Sequence, residues 1–130
     1  MLNNIYHSLY SLFNIKILAL SDTIGAANPE LVKNVFESII PELKNVEFGA
    51  HLHTTPEDAI SLTEAAFLGG CRRFDGAIKG YGGCPMAKDD LTGNMPTEKM
   101  VSWFSQNNVA TGLNDSAFNK ALIESAGIFA

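Results

Sequence analysis

Apolar positions along this chain follow two alternating rhythms. Leu2, Ile5, Tyr6, Leu9, Tyr10 and Phe13 recur at helical spacing and predict a short amphipathic helix with one face against a core. Ile15 to Leu20 is almost continuously apolar apart from Lys16, the pattern of a parallel strand buried on both faces. Asn28-Pro29 supplies an oxygen-bearing cap followed by proline at the first helical position, where no backbone donor is needed. Leu31, Val32, Val35, Phe36, Ile39 and Ile40 form the buried stripe of that helix, and Pro41 falls near its end. A second strand is expected from Val46 to His53. Thr55-Pro56-Glu57-Asp58 then resembles a capping box with Asp in the glutamate position. Ala59, Ile60, Thr63, Ala66 and Phe67 supply the inner face of the following helix, which Gly69-Gly70 stops.

Cys71 to Ile78 predicts a third strand, its apolar pattern interrupted by Arg72, Arg73 and Asp75. A long glycine-rich loop follows. Pro96 opens a helix to about Gln106 with Met100, Val101 and Phe104 on one side, and a last helix runs from about Asp115 to Ser125. Strands alternating with helices in this order imply an α/β fold with a parallel sheet and right-handed crossovers.

Composition narrows this picture only a little. At 130 residues and 46% hydrophobic content the chain fits one ordinary globular domain. The formal net charge of −5 argues against generic nucleic-acid binding, because the one local basic cluster, Arg72, Arg73, Lys79 and Lys88, forms no long stripe able to neutralise phosphates. Two cysteines, Cys71 and Cys84, are too few for a disulfide framework, so a reducing, cytoplasmic setting is expected. Asn3, Asn4, His7 and Asn14 interrupt the apolar start and no positive charge precedes it, so no signal peptide is expected. No stretch is long enough to span a bilayer, and no membrane partner is expected.

The chemistry-bearing residues gather at strand ends. In Gly49-Ala50-His51-Leu52-His53 the alternation of an extended segment sends His51 and His53 to one side and Phe48, Ala50 and Leu52 to the other. Asp22, His51, His53 and Cys84 all lie at or just after the C-terminal end of a predicted strand, where parallel α/β folds carry function. Two histidines plus a side-chain oxygen from another loop suit a divalent cation with open positions for substrate oxygens. Each residue also has a plainer reading. A His-x-His pair can be just a polar face, Asp22 can satisfy backbone donors in its turn, Asn94 can serve as turn or cap chemistry ahead of Pro96, and Cys71 reads as core. Cys84 differs, because Gly82, Gly83 and Pro85 place it in a loop where burial is not expected. That loop matches neither a P-loop nor a dinucleotide fingerprint and reads as a lid carrying a thiol over substrate.

Leu20-Ser21-Asp22-Thr23-Ile24-Gly25, His51-Leu52-His53, Gly80-Tyr81-Gly82-Gly83-Cys84-Pro85 with Ala87-Lys88, and Gly93-Asn94 with Thr97-Glu98, in this order, resemble the C-terminal part of 3-hydroxy-3-methylglutaryl-CoA lyase. The similarity runs from roughly Leu9 to the C-terminus. The Asp-Thr-Ile-Gly and His-x-His elements are shared with related acyl-CoA condensing synthases, whereas the Gly-Gly-Cys-Pro loop is the lyase signature. The resemblance implies a TIM (β/α)8 barrel of which residues 1–130 are the C-terminal portion, about the last three strand–helix units, since a complete barrel takes about 250 residues. It implies cleavage of 3-hydroxy-3-methylglutaryl-CoA to acetoacetate and acetyl-CoA with Mg²⁺ or Mn²⁺. By position it makes His51, His53 and Asn94 three of four metal ligands, Cys84 the loop residue of proton transfer, and Asp22 an acid/base partner beside His51. Gly82 and Gly83 belong to the substrate loop. The fourth ligand, an aspartate, and a catalytic arginine would belong to the barrel front. The partners implied are an acyl-CoA substrate and either a complementing front-half chain or a second copy. Lys79, Tyr81 and Met86 replace smaller or differently shaped residues usual in the family, so loop packing and CoA contacts are expected to differ. The alternatives are a non-catalytic, self-associating half-barrel and a fragment of a condensing synthase.

Overall fold

The structure is a computed structural model and describes residues 2–83 and 92–128. In chain order the elements are α1 (Leu2–Phe13), β1 (Ile17–Asp22), α2 (Pro29–Ile39), β2 (Glu47–Thr54), α3 (Ala59–Leu68), β3 (Arg73–Phe74), a 3₁₀ turn (Ile78–Gly80), β4 (Gly93–Asn94), α4 (Thr97–Gln106) and α5 (Asp115–Ile128). β1, β2 and β3 are parallel and adjacent in that order. β4 runs antiparallel to the end of β2.

One face of the sheet is packed. Phe48, Ala50 and Leu52 of β2 are 3%, 2% and 6% exposed, and they form a single core with Val32, Phe36 and Ile39 of α2, Leu62 and Ala66 of α3, and Met100, Trp103 and Phe104 of α4. Burial of that surface is the main force holding helices to sheet. Phe67, Phe74, Trp103 and Phe104 meet edge to face, with ring centroids 5.1–6.0 Å apart. The opposite face carries Glu47, Gly49, His51 and His53 by strand alternation.

The α2 cap forms as the sequence predicts: Asn28 Oδ1 accepts from the Leu31 amide at 2.8 Å, with Pro29 at the first helical position. The predicted capping box at Thr55 does not. Residues 56–58 turn, α3 begins at Ala59, and the Thr55 hydroxyl donates instead to the Asp58 carboxylate at 3.1 Å. Lys99 of α4 donates to the Pro56 carbonyl and ties that turn to the next helix.

Three further expectations are corrected. β1 begins at Ile17 rather than Ile15 and is not buried on both faces; Ile17 is 48% exposed and Leu20 is the one buried residue of the strand, because among the described residues β1 is an edge strand with β2 on one side. The third strand is two residues long instead of eight, Arg73–Phe74, because the chain leaves the ladder at Gly76 to run against Met95 and Met100 of the following segment. The stripe of α1 is only partly covered: Tyr10 packs against the core, while Ile5 and Phe13 are exposed. Cys71 is fully buried, as the plainer reading has it, and burial pushes its thiol up to about 11. It is a core residue and stays protonated at neutral pH.

Candidate functional site

The site grows from the end of β2. His51 and His53 share the face opposite the core, with ring centroids 5.6 Å apart and planes tilted by 56°. Both are partly exposed, yet Nδ1 of His53 is buried and meets no hydrogen-bond partner among the described residues. A buried imidazole nitrogen without a partner costs free energy unless something else satisfies it.

The β4 ladder sets Asn94 directly opposite His53. Its amide nitrogen donates to the carbonyls of Tyr81 at 2.8 Å and Gly82 at 3.2 Å. Those bonds fix which end of the amide is nitrogen, so Oδ1, the atom type a hard cation takes, is the end left for other duty. The glycines make this approach feasible. Gly82 has φ +97°, and a Cβ there would sit 2.6 Å from the Asn94 nitrogen; a Cβ at Gly93 would sit 2.6 Å from the Gly80 carbonyl oxygen. Gly83 pairs with Gly93 in an isolated bridge and has ordinary room around it. Glu98, in the first turn of α4, accepts from the Lys79 amide at 2.9 Å and pins the 3₁₀ turn, where Lys79 itself has φ +56°.

Asp22 stands apart from this group. Its Oδ2 accepts from the Ala27 amide at 2.7 Å and its Oδ1 from the Ile24 amide at 3.3 Å, so it closes the loop that leads into α2. In the β1–β2 register Ser21 is opposite His51 and Asp22 opposite Leu52, which puts the carboxylate on the Leu52 side of the sheet. Cys84 lies outside the described residues.

Sequence reasoning missed Asp75. Its Oδ2 is 3.7 Å from Nδ1 of His51, and its amide donates to the Ala50 carbonyl at 3.0 Å, continuing the ladder one step past Phe74. The polar residue read as an interruption of a strand is the one that reaches the first histidine. Among the described residues no group of three or more His, Cys, Asp or Glu side chains is arranged to hold a metal. The donor types that lie near one another are the His51 and His53 imidazoles and, opposite His53 on the ladder, the Asn94 side chain, a mix that a divalent cation could take together with further oxygens.

A family profile described as HMGL-like matches residues 1–122. The hydroxymethylglutaryl-CoA lyase YngG of Bacillus subtilis is 37% identical over 101 residues, which are 78% of this chain and 33% of that protein. The chain thus spans about a third of the length of the curated relatives it matches. Among solved structures, a Bacillus subtilis HMG-CoA lyase superposes with a TM-score of 0.76 at 34% identity over 86% of this chain and 37% of the other. An HMG-CoA lyase of Acinetobacter baumannii, in complex with coenzyme A and 3-methylmalate, gives a TM-score of 0.71 at 30% identity over 87% and 37%. The parallel sheet with helices on one face is accordingly part of a TIM-barrel architecture, and no described helix is long and apolar enough to cross a membrane. Motif order, fold and profile agree: the chain belongs to the HMGL-like family.

Proposed function

We propose that residues 1–130 form the C-terminal portion of a TIM-barrel lyase domain and carry part of an active site for metal-dependent carbon–carbon cleavage of an acyl-CoA. The substrate named by the resemblance is 3-hydroxy-3-methylglutaryl-CoA, with acetoacetate and acetyl-CoA as products. The observation that supports this best is the unpartnered Nδ1 of His53, beside His51 and opposite Asn94. His51, His53 and the Asn94 oxygen would hold Mg²⁺ or Mn²⁺, either of which mixed nitrogen and oxygen donors accept. When bound, such an ion would supply Lewis-acid polarisation of substrate oxygens. Cys84 would give its thiol proton to the thioester α-carbon as the carbon–carbon bond breaks; removal of the substrate hydroxyl proton, which the resemblance gives to Asp22, would require that carboxylate to leave the Ile24 and Ala27 amides that hold it on the Leu52 side of the sheet. Gly82 and Gly83 would let the loop that carries Cys84 close over substrate.

The remaining metal ligand and the arginine that stabilises developing negative charge would come from a front segment outside these residues. Loss of one such electrostatic group costs a factor of about 10²–10³ in turnover. Incubating the 130-residue chain with 3-hydroxy-3-methylglutaryl-CoA and Mn²⁺ and measuring acetoacetate is therefore expected to give turnover at least that far below a complete lyase. Robust turnover by the chain alone would sink the partial-site reading.

The second reading, a self-associating half-barrel, has support in the edge of β1. Ile17 there is 48% exposed, and Leu12 and Phe13, at the end of the preceding helix α1, are 74% and 69% exposed. An open strand edge flanked by apolar side chains invites pairing with a front-half chain or a second copy. Sedimentation velocity on the purified chain is expected to show association that grows with concentration; a single compact monomer across that range would count against it.

A further inference from the structure

Asp75 ends the third parallel strand on the face that carries the histidines. The register pairs Gly49 with Arg73 and Ala50 with Phe74, so the next position sets Asp75 beside His51. The bond from the Asp75 amide to the Ala50 carbonyl, at 3.0 Å, holds the backbone in that position. Its carboxylate oxygen lies 3.7 Å from Nδ1 of His51, with both side chains partly exposed. The nearby cation on this strand is engaged elsewhere: Arg73 reaches across Gly49 to Glu47, with 3.8 Å between guanidinium and carboxylate.

We propose that Asp75 is a positioning residue for His51: it keeps the proton on Nδ1 and so presents Nε2 as the unprotonated metal-binding nitrogen. The inference rests on the metal reading above and goes beyond it, because neither the motifs nor the ligand set includes Asp75. The contact is to one nitrogen of His51, and with His51 and His53 it makes no three-residue metal cluster, so Asp75 supports a ligand rather than being one. At 3.7 Å the pair is an electrostatic contact, and the proposed role requires it to close to hydrogen-bonding distance with the ring proton at Nδ1. An imidazole held this way is both locked in tautomer and made more basic at its other nitrogen, which strengthens its bond to a cation.

The test compares the wild-type chain with Asp75→Ala and Asp75→Asn. The asparagine keeps the shape of the side chain and the backbone bond to Ala50, and so guards against loss of the fold. Nitrogen-15 shifts of the neutral His51 ring report its tautomer without metal, and absorption titration with Co²⁺ alone reports affinity. The expected wild-type ring is the Nδ1–H tautomer. Asp75→Ala is expected to lose that preference and to bind Co²⁺ about 10–100-fold more weakly, with Asp75→Asn between the two. An Nε2–H ring in the wild type, or equal tautomers and Co²⁺ affinities in all three, overturns the role of Asp75 alone. Failure of the wild type to take up Co²⁺ overturns the metal reading, and the role of Asp75 with it.

Discussion

Gly76→Ala is expected to destabilise the chain by about 2–3 kcal/mol, the upper part of the range for overpacking. Gly76 is itself exposed, but the direction its Cβ would take is filled: the Met95 carbonyl oxygen would lie 2.6 Å away and Met100 Cε 2.3 Å away. The methionine terminus can rotate aside. The carbonyl cannot, because it accepts from the Ala77 amide at 3.0 Å, and Ala77 in turn accepts from Thr97 at 2.9 Å at the start of α4. Relief of the clash therefore breaks the link between the end of β3 and α4. Against a total stability of about 5–15 kcal/mol this is a large fraction, read as a midpoint drop of very roughly 10 °C in thermal unfolding. Gly83→Ala is the control. Among the described residues its Cβ would meet only the Thr92 carbonyl, at 3.8 Å, and its cost should stay within about 0.5 kcal/mol. Equal melting of the two variants would show that the approach at Gly76 is not the constraint the packing implies.

That close approach also marks where the sequence stops being readable. α2, β2 and α4 follow from the chain because each has one buried face written in its own residues: Val32, Phe36 and Ile39; Phe48, Ala50 and Leu52; Met100 and Phe104. What limits β3 to two residues is a contact with Met95, some twenty positions away, and no local pattern encodes it. β4 is similar. Gly93-Asn94 has no strand periodicity, and it pairs only because glycines at 80, 82 and 93 let two loops come together. β1 reads as a doubly buried strand because apolar alternation reports what a residue is suited to touch. It does not say that a neighbour is present, and Ile17 faces none on its outer side among the described residues.

The same division runs through the site. His51 and His53 declare their shared face by alternation alone. Asn94 enters by resemblance, and its place opposite His53 depends on the β4 ladder. Asp75 was invisible because its meaning lies in register. Only the pairing of Ala50 with Phe74 brings it level with His51. Asp22 shows the reverse case: the plainer reading of its side chain, as an acceptor for backbone amides in its own turn, describes its hydrogen bonds.

His53→Leu is expected to remove divalent-metal uptake while leaving the metal-free chain as stable as the wild type, or more stable. The two effects have one cause. In the metal-free chain Nδ1 of His53 is buried and unpartnered among the described residues, a condition that costs about 1–3 kcal/mol relative to a satisfied group. Leucine removes the polar atom at similar bulk and brings no new donor or acceptor. A histidine selected for packing would behave oppositely, since the ring contact with His51 at 5.6 Å would be lost with nothing gained. Loss of a direct ligand should weaken Co²⁺ or Mn²⁺ binding by at least the roughly 10–100-fold that follows loss of a supporting contact. Calorimetric melting in the presence of a chelator measures the first effect and metal titration the second. A melting temperature that falls while metal uptake persists would make His53 a structural residue and leave the cation without its best-supported ligand. The expected pair, undiminished stability with lost binding, is the behaviour of a residue that the fold tolerates at a cost because the site needs it.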